Sequence, residues 1–483
     1  MQLQQPIPRF LQAPSLRRIA GFSCYQGFIY AVFYMGTNRA LEIGSLAIER
    51  ADLLATLVAM VLAFAGMGVF PRIAERILSS DAAIALCAAA ISFGVFASRL
   101  PETLHAPGIL LEALSVGVPM AALLVAWGRV LGSSSPRIAA CEIFASTGIA
   151  AGVCLIVSFL GDNAQILFAI ALPAASAGIL LVSGAGTSAR GAEAPSPDMP
   201  KRIHDGFGSR TAALSRRMLV GAAMFGLAAG LMETFRSNPG DSSTPTFPAT
   251  LLMLALFCIA VLQSLRTKSA EENDSLGSTY RIAILVMMAG FLFTPALYGS
   301  GVPGEAIVLA GCLGLTAAFV ALFIAVSVLR DMDAAMAFCR GFSALYAGEV
   351  AGIAVGNAVD GLTAPTAFSH GMLAFAGLTV LTSYLFLFTE DDFRQLSAIV
   401  DVASVAGAMH DAIVVQAKLS KRESQVLELA LKGRTNERIA QELFVAKSTV
   451  DTHLRRIYAK AGVHSRQELI DYGEYLVAAN LRR

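Results

Sequence analysis

Charge-poor apolar windows recur along the chain from Ile19 to Thr389. Most are close to the length of about 20 residues that a helix needs to cross a hydrocarbon core about 30 Å thick. The pattern predicts twelve membrane helices, at Ile19 to Gly36, Leu53 to Phe70, Ala82 to Ser98, Ala106 to Trp127, Ile138 to Leu160, Ala164 to Ser183, Met218 to Met232, Phe247 to Leu265, Ile282 to Tyr298, Ala306 to Leu329, Phe342 to Val359 and Thr363 to Thr389. The seventh is the shortest, at 15 residues. From Leu419 the periodicity changes to short amphipathic helices opened by capping residues, the pattern of a water-facing domain. The expected fold is all-α: a polytopic bundle of about 12 spans in a 6+6 layout, then four short helices.

Composition separates the same two regions. Of 483 residues 55% are hydrophobic and mean hydropathy is +0.64, above soluble-globular habit, which excludes a single soluble domain. Lys418 to Arg483 holds 21 of the 71 Lys, Arg, Asp and Glu residues, with 13 basic against 8 acidic. That end is basic and faces water. The seven cysteines, Cys24, Cys87, Cys141, Cys154, Cys258, Cys312 and Cys339, show no paired spacing suited to zinc, redox exchange or a disulfide framework. They read as small buried apolar side chains, and no cofactor is expected. The N-terminus lacks the pattern of a cleaved secretory signal, so the first apolar run is expected to remain as a membrane helix.

Loop charges test the span count independently, because short cytoplasmic loops collect Lys and Arg. With the N-terminus inside, the N-terminal segment and the even-numbered loops carry eighteen basic residues, and the other side carries four: Arg39, Arg50, Arg99 and Arg236. This asymmetry places both termini in the cytoplasm and the chain in the inner membrane. The longest internal loop, Gly184 to Arg217, is rich in Gly, Ser, Pro and basic residues and divides the spans six and six. That layout resembles the major facilitator superfamily, and Gly66 to Arg76 is faintly similar to the family's basic loop between its second and third helices. Layout alone does not carry transport over. Gly148 with Gly152, Gly226 with Gly230 and Gly352 with Gly356 give small-xxx-small faces suited to close helix packing.

Ionisable residues inside spans usually face a cavity or a partner, since a central charge costs roughly 2.5 to 3.5 kcal/mol on insertion scales. Glu112, Glu142, Glu349 and His370 qualify. One reading is a polar ligand-binding site between the two halves, with Glu233 and Arg236 at its outer mouth. The other is that they are protonated or hydrogen-bonded structural groups. Gly184 to Thr187 follows an apolar helix instead of a strand and reads as loop glycine, not a dinucleotide loop.

The C-terminal segment carries the sharper signal. Ser420 with Glu423 and Ser465 with Glu468 form S-x-x-E capping boxes. Gly433 stops the first helix, Thr435 starts the second, and Phe444 to Lys447 is a tight turn into a third. On that third helix Val450, Leu454, Ile457 and Ala461 form an apolar stripe, while Thr452 and Ala459 point away and Arg455 and Arg456 flank them. Small residues permit close approach to a groove floor, and guanidinium groups reach base edges or phosphates. Lys447, Arg455, Arg456 and Lys460 lie in or beside one helix, although a basic excess is also compatible with a solvated surface.

The run from Leu419 to Leu469 closely resembles the LuxR (GerE-type) DNA-binding domain across its whole length, including Arg422, Glu423, Val426, Gly433, Asn436, Ile439, Ala440, Thr449, Val450, His453, Ile457, Lys460, Gly462, Val463 and Arg466. The resemblance implies a four-helix transcription-factor domain that binds double-stranded DNA as a homodimer, with Asn436 to Leu443 as scaffold helix and Ser448 to Ala461 as recognition helix. Its recognition positions fall on Asp451, Thr452 and Arg455. Lys447, Ser448, Thr449, His453, Arg456 and Lys460 complete the DNA-binding set. Asp451 departs from the basic residue of many relatives. It would be repelled by phosphate, and it either accepts from a base donor or, three residues after Ser448, completes the helix cap.

The sequence thus predicts a transmembrane region over residues 1–389, a linker helix over 390–417 that also suits packing on a neighbour, and a DNA-binding domain over 418–483. The combined reading is a one-component regulator in membrane lipid whose bundle answers an unknown small-molecule inducer. The alternatives are a secondary transporter with a fused regulatory domain and a membrane scaffold whose tail binds protein. No phospho-acceptor receiver domain, P-loop, metal cluster or nucleophile constellation is visible, so the expectation is not an enzyme.

Overall fold

The computed structural model describes residues 13–35, 39–43, 46–97, 105–134, 136–183, 204–234, 247–267, 285–286, 288–290, 304–329, 334–360, 369–384, 409–410, 412–431, 434–443 and 445–481. The chain divides into two compact units, Pro8–Ser397 and a second that contains Ala398–Arg483.

The larger unit is helical. Its helices are α1 (Ala13–Phe33), α2 (Ala51–Val69), α3 (Pro71–Leu78), α4 (Asp81–Ala97), α5 (His105–Glu112), α6 (Val118–Gly132), α7 (Pro136–Val157), α8 (Asp162–Val182), α9 (His204–Thr234), α10 (Phe247–Thr267), α11 (Gly304–Leu329), α12 (Ala334–Asp360) and α13 (Ser369–Thr382). A two-stranded antiparallel hairpin, β1 (Leu41–Ile43) and β2 (Leu46–Ile48), joins α1 to α2, with Leu41 opposite Ile48. A π-helical turn, Ala113–Gly117, joins α5 to α6. Among the described residues seven helices are long and apolar enough to cross a membrane, or eight if α3 and α4, bent by 85°, form one broken span. The predicted ninth span lies mostly outside the described residues, as do the two ends of the twelfth, 363–368 and 385–389.

Two sequence expectations are corrected. The shortest predicted span belongs to the longest described helix, α9, whose 31 residues run through Arg216 and Arg217. The apolar window stopped at those arginines, but backbone hydrogen bonding does not. The loop expected to end at Arg217 therefore gives way to helix from His204; residues 184–203 lie outside the described set.

The glycine pairs behave differently from one another. A Cβ on Gly226 or Gly230 of α9 would sit 1.9 Å from the Leu345 carbonyl oxygen or 2.1 Å from that of Glu349. On α12, a Cβ at Gly348 or Gly352 would sit 1.9 or 2.3 Å from a carbonyl oxygen of α9. The two backbones touch directly, and the α12 pair is Gly348 with Gly352, one turn before the predicted Gly352 and Gly356. Gly148 meets Cys258 of α10, whereas Gly152 has open space around it.

The C-terminal unit holds α14 (Lys421–Leu431), α15 (Asn436–Glu442), α16 (Lys447–Ala461) and α17 (Arg466–Leu481). Its core joins Val426, Leu427 and Ala430 of α14, Ile439 and Ala440 of α15, Val450, Leu454 and Ile457 of α16, and Leu469 of α17. Each of the Val, Leu and Ile side chains contributes about 1.5 to 3 kcal/mol on burial. Ile413 and Ala417, which the sequence assigned to the linker, are buried in the same core. Met409 and Ile413 also pack against Gly473, where a Cβ would approach them to 2.9 and 3.1 Å.

Candidate functional sites: a DNA-reading face and a charged membrane interior

Helix α16 is set by the capped helices around it and by three side-chain ties, from Asp451, Lys447 and Lys460. Ser420 and Glu423 form the expected reciprocal box at the start of α14: the Ser420 backbone N–H donates to Glu423 Oε2 at 2.7 Å, and the Glu423 N–H to Ser420 Oγ at 3.4 Å. Thr435 caps α15, accepting from the Arg438 N–H at 3.3 Å. At the start of α17 the second box is shifted: Ser465 Oγ accepts from the Glu468 N–H, but Glu468 reaches past Ser465 to the His464 N–H at 2.8 Å. Gly462 ends α16 in the left-handed region, with φ of 70°, where glycine carries no steric penalty.

Asp451 is corrected. The cap of α16 is Ala446, with no side-chain cap bond, so Asp451 does not complete a box with Ser448. Its Oδ1 instead accepts from Asn436 Nδ2 at 2.7 Å, tying the reading helix to the first residue of α15. Lys447 donates to Glu437 at the same junction. This hydrogen bond raises the Lys447 pKa and lowers that of Glu437, and both side chains remain more than half exposed, at 56% and 58%. Lys460 is held as well, donating to Glu423 Oε2 at 2.7 Å. Burial alone would raise the Glu423 carboxyl, but hydrogen bonds from Lys460 and Ser420 outweigh it and lower the pKa to about 2. Arg466 reaches back from α17 to the Ala430 carbonyl.

What remains outward is a coherent strip. Ser448, Thr449, Thr452, Arg455, Arg456 and Ala459 are exposed on α16, while Val450, Leu454 and Ile457 point into the core. Thr452 Oγ1 donates to the Ser448 carbonyl at 2.8 Å, which fixes its rotamer. His453 is half-buried, and its Nδ1 is buried without a hydrogen-bond partner among the described residues. The sequence placed nine residues in the DNA-binding set. The structure brings them onto one helix, yet commits Asp451, Lys447 and Lys460 to carboxylate or amide partners within the domain.

The membrane carboxylates converge only in part: Glu349 and Glu233 share one cavity, whereas Glu142 and Glu112 sit in separate ion pairs. Glu142 is fully buried and accepts from Arg18 Nε at 2.9 Å and Nη2 at 2.6 Å, with Ser15 as a further donor. Glu112 pairs with Arg39. Glu233 pairs with Arg50 at 2.8 Å. Arg50 is fully buried, adopts a left-handed backbone with φ of 56°, donates to the Phe33 carbonyl at 2.9 Å and lies 5.5 Å from the Tyr34 ring centre. The partners are three arginines, Arg18, Arg39 and Arg50, which the sequence presents only as charges of the N-terminal segment and loops.

Glu349 lines a small cavity of about 30 Å³ together with Tyr34, Phe225, Glu233, Thr316 and Phe319. The His370 side chain and Arg236 lie outside the described set. Among the described residues no group of three His, Cys, Asp or Glu side chains could hold a metal ion.

Fold and site together define a multi-pass helical membrane protein carrying a helix-turn-helix domain. Residues 417–473 match the family of bacterial regulatory proteins, luxR family (GerE), so this segment is a LuxR-type transcription-regulatory DNA-binding domain. The chain is also similar to solved transporter structures. These include the nucleoside transporter NupG (16% identity, 78% of this chain and 98% of that chain, TM-score 0.45) and FucP, a Major Facilitator Superfamily transporter in the outward conformation (12%, 79% and 99%, TM-score 0.44). A third is the partially occluded inward-open xylose transporter XylE from E. coli (13%, 78% and 96%, TM-score 0.44).

Proposed function

We propose that this protein is a one-component transcriptional regulator of the inner membrane, in which the bundle senses a signal and biases DNA binding by the cytoplasmic C-terminal domain. The observation that carries the reading is the outward strip of α16, where Ser448, Thr449, Thr452, Arg455 and Arg456 stand exposed over a buried apolar stripe. Its shape and charge suit the major groove of double-stranded DNA, with the N-terminal half of the helix leading. Arg455 is the residue assigned to base readout, and Arg456, Thr449 and Ser448 to phosphates. Two copies read two half-sites. In domain terms, residues 1–389 sense, 390–417 connect and 418–483 read.

A ligand changes this output only if it binds the two packings of the bundle with different affinity. The cavity holding Glu349, sized at about 30 Å³ for an ion or a water or two, is the place assigned to such a ligand, and a larger molecule requires the bundle to open there. The reading is tested with the full-length protein in lipid nanodiscs, by binding to genomic fragments over a salt series. Selective binding that weakens steeply with salt and is lost in Arg455→Ala supports it, and indifference to duplex DNA in dilute buffer overturns it.

The second reading is a secondary transporter with a fused regulatory domain. The buried pairs Arg18–Glu142, Arg39–Glu112 and Arg50–Glu233 favour it, because charge pairs inside a bundle are a common device of transport pathways. Strong uptake into vesicles that disappears in Glu349→Gln establishes transport.

A further inference from the structure

Two oxygens on α2 are buried without a hydrogen-bond partner among the described residues: Asp52 Oδ1 and Thr56 Oγ1. Asp52 is 4% exposed and Thr56 is 1% exposed. A spacing of four residues puts the two side chains one turn apart on the same helix face.

That face meets irregular backbone. A Cβ on Gly117, the last residue of the π-helical turn, would lie 2.7 Å from the Thr56 carbonyl oxygen and 3.3 Å from Thr56 Cγ2, so the π-turn rests directly on this part of α2. Single π-turns within helices often mark functional positions. Glu112, just before the turn, lies within electrostatic reach of Asp52.

Arg39 is committed to Glu112, and Arg50, also within electrostatic reach of Asp52, donates to Glu233 and to the Phe33 carbonyl. Asp52 Oδ1 is thus left without a donor among the described residues, in a setting where an unsatisfied buried carboxyl oxygen is unfavourable.

We propose that Asp52 and Thr56, closed over by the π-turn, form a binding site for a monovalent cation of the sodium class. A carboxylate and a hydroxyl oxygen are hard ligands suited to such an ion, and the absence of three clustered acidic or His/Cys groups among the described residues argues against a divalent metal. The site is independent of the regulator reading, since it requires neither DNA binding nor transport.

The test uses the full-length protein in nanodiscs, titrated with sodium chloride against choline chloride at constant ionic strength. The readouts are the unfolding midpoint and the emission of Trp127, the single tryptophan, on the helix that continues from the π-turn. Sodium is expected to raise the midpoint saturably by about 2 to 4 °C, with a matching emission change. Thr56→Val, which keeps the volume, and Asp52→Asn are expected to abolish the response, while Thr56→Ser retains it. If Asp52→Asn does not fold, the two Thr56 variants decide. A wild-type midpoint identical in sodium and choline overturns the proposal, as does a full sodium response in Thr56→Val.

Discussion

The side-chain amide of Asn436 donates to the Asp451 carboxylate at 2.7 Å, joining the first residue of the scaffold helix to the middle of the reading helix. A negative residue on α16 is thereby turned toward the protein. We expect Asn436→Ala and Asp451→Ala each to lower the stability of the C-terminal unit by about 1 kcal/mol, with the double variant losing clearly less than the sum. Urea unfolding followed by circular dichroism measures this, and strict additivity would show that the bond contributes nothing.

Arg455 and Lys447 should separate in DNA-binding measurements. Arg455 stands exposed on the outward strip, whereas Lys447 is already engaged by Glu437. Arg455→Ala is expected to weaken operator binding at least tenfold and to relax sequence preference, while Lys447→Ala produces a smaller loss that is uniform across sequences. Equal losses for the two variants would remove the distinction.

Glu423 ties stability to pH. Its folded pKa, about 2, is below the ordinary value for glutamate, so its contribution is fully present above the unfolded value of about 4.3 and is lost as pH falls toward 2. Because Lys460 is partly exposed, the effect at neutral pH is about 1 to 2 kcal/mol. Glu423→Gln should flatten the acid limb of the stability curve. An unchanged slope between about pH 5 and about pH 2 would contradict the Lys460–Glu423 tie.

The contact between α9 and α12 leaves no room for a side chain. Gly230→Ala places a methyl group against the Glu349 carbonyl and should lower the unfolding midpoint in detergent by several degrees, about 1 to 3 kcal/mol of overpacking. Gly152→Ala, with open space around it, should be nearly neutral. Similar behaviour of the two variants would mean that the backbones do not touch.

Local chemistry was legible in the sequence wherever partners are close along the chain. The Ser420–Glu423 box, the Thr435 cap and the Val450, Leu454 and Ile457 stripe follow from spacing alone, because a helix fixes what lies three or four residues away. Partners brought together by packing were not legible. Arg18 and Glu142 are 124 residues apart, and nothing in either neighbourhood names the other. Asp451 was given a local cap partner because Asn436, 15 residues away, meets it only across the turn between two helices. The α12 glycines were identified one turn out of register, since small-residue spacing shows that a helix can be approached closely but not which turn is approached. Helix α9 was read too short because an apolar window measures membrane depth, not helix length.

The central claim is that a membrane-embedded bundle presents a working DNA reader to the cytoplasm. The most direct test maps chromosomal sites bound by the intact, membrane-inserted protein in living cells, beside an equally abundant Arg455→Ala variant. Discrete sites sharing one sequence and lost in the variant are the predicted result. An inserted protein that enriches no site, or a variant with the same map, would contradict the account.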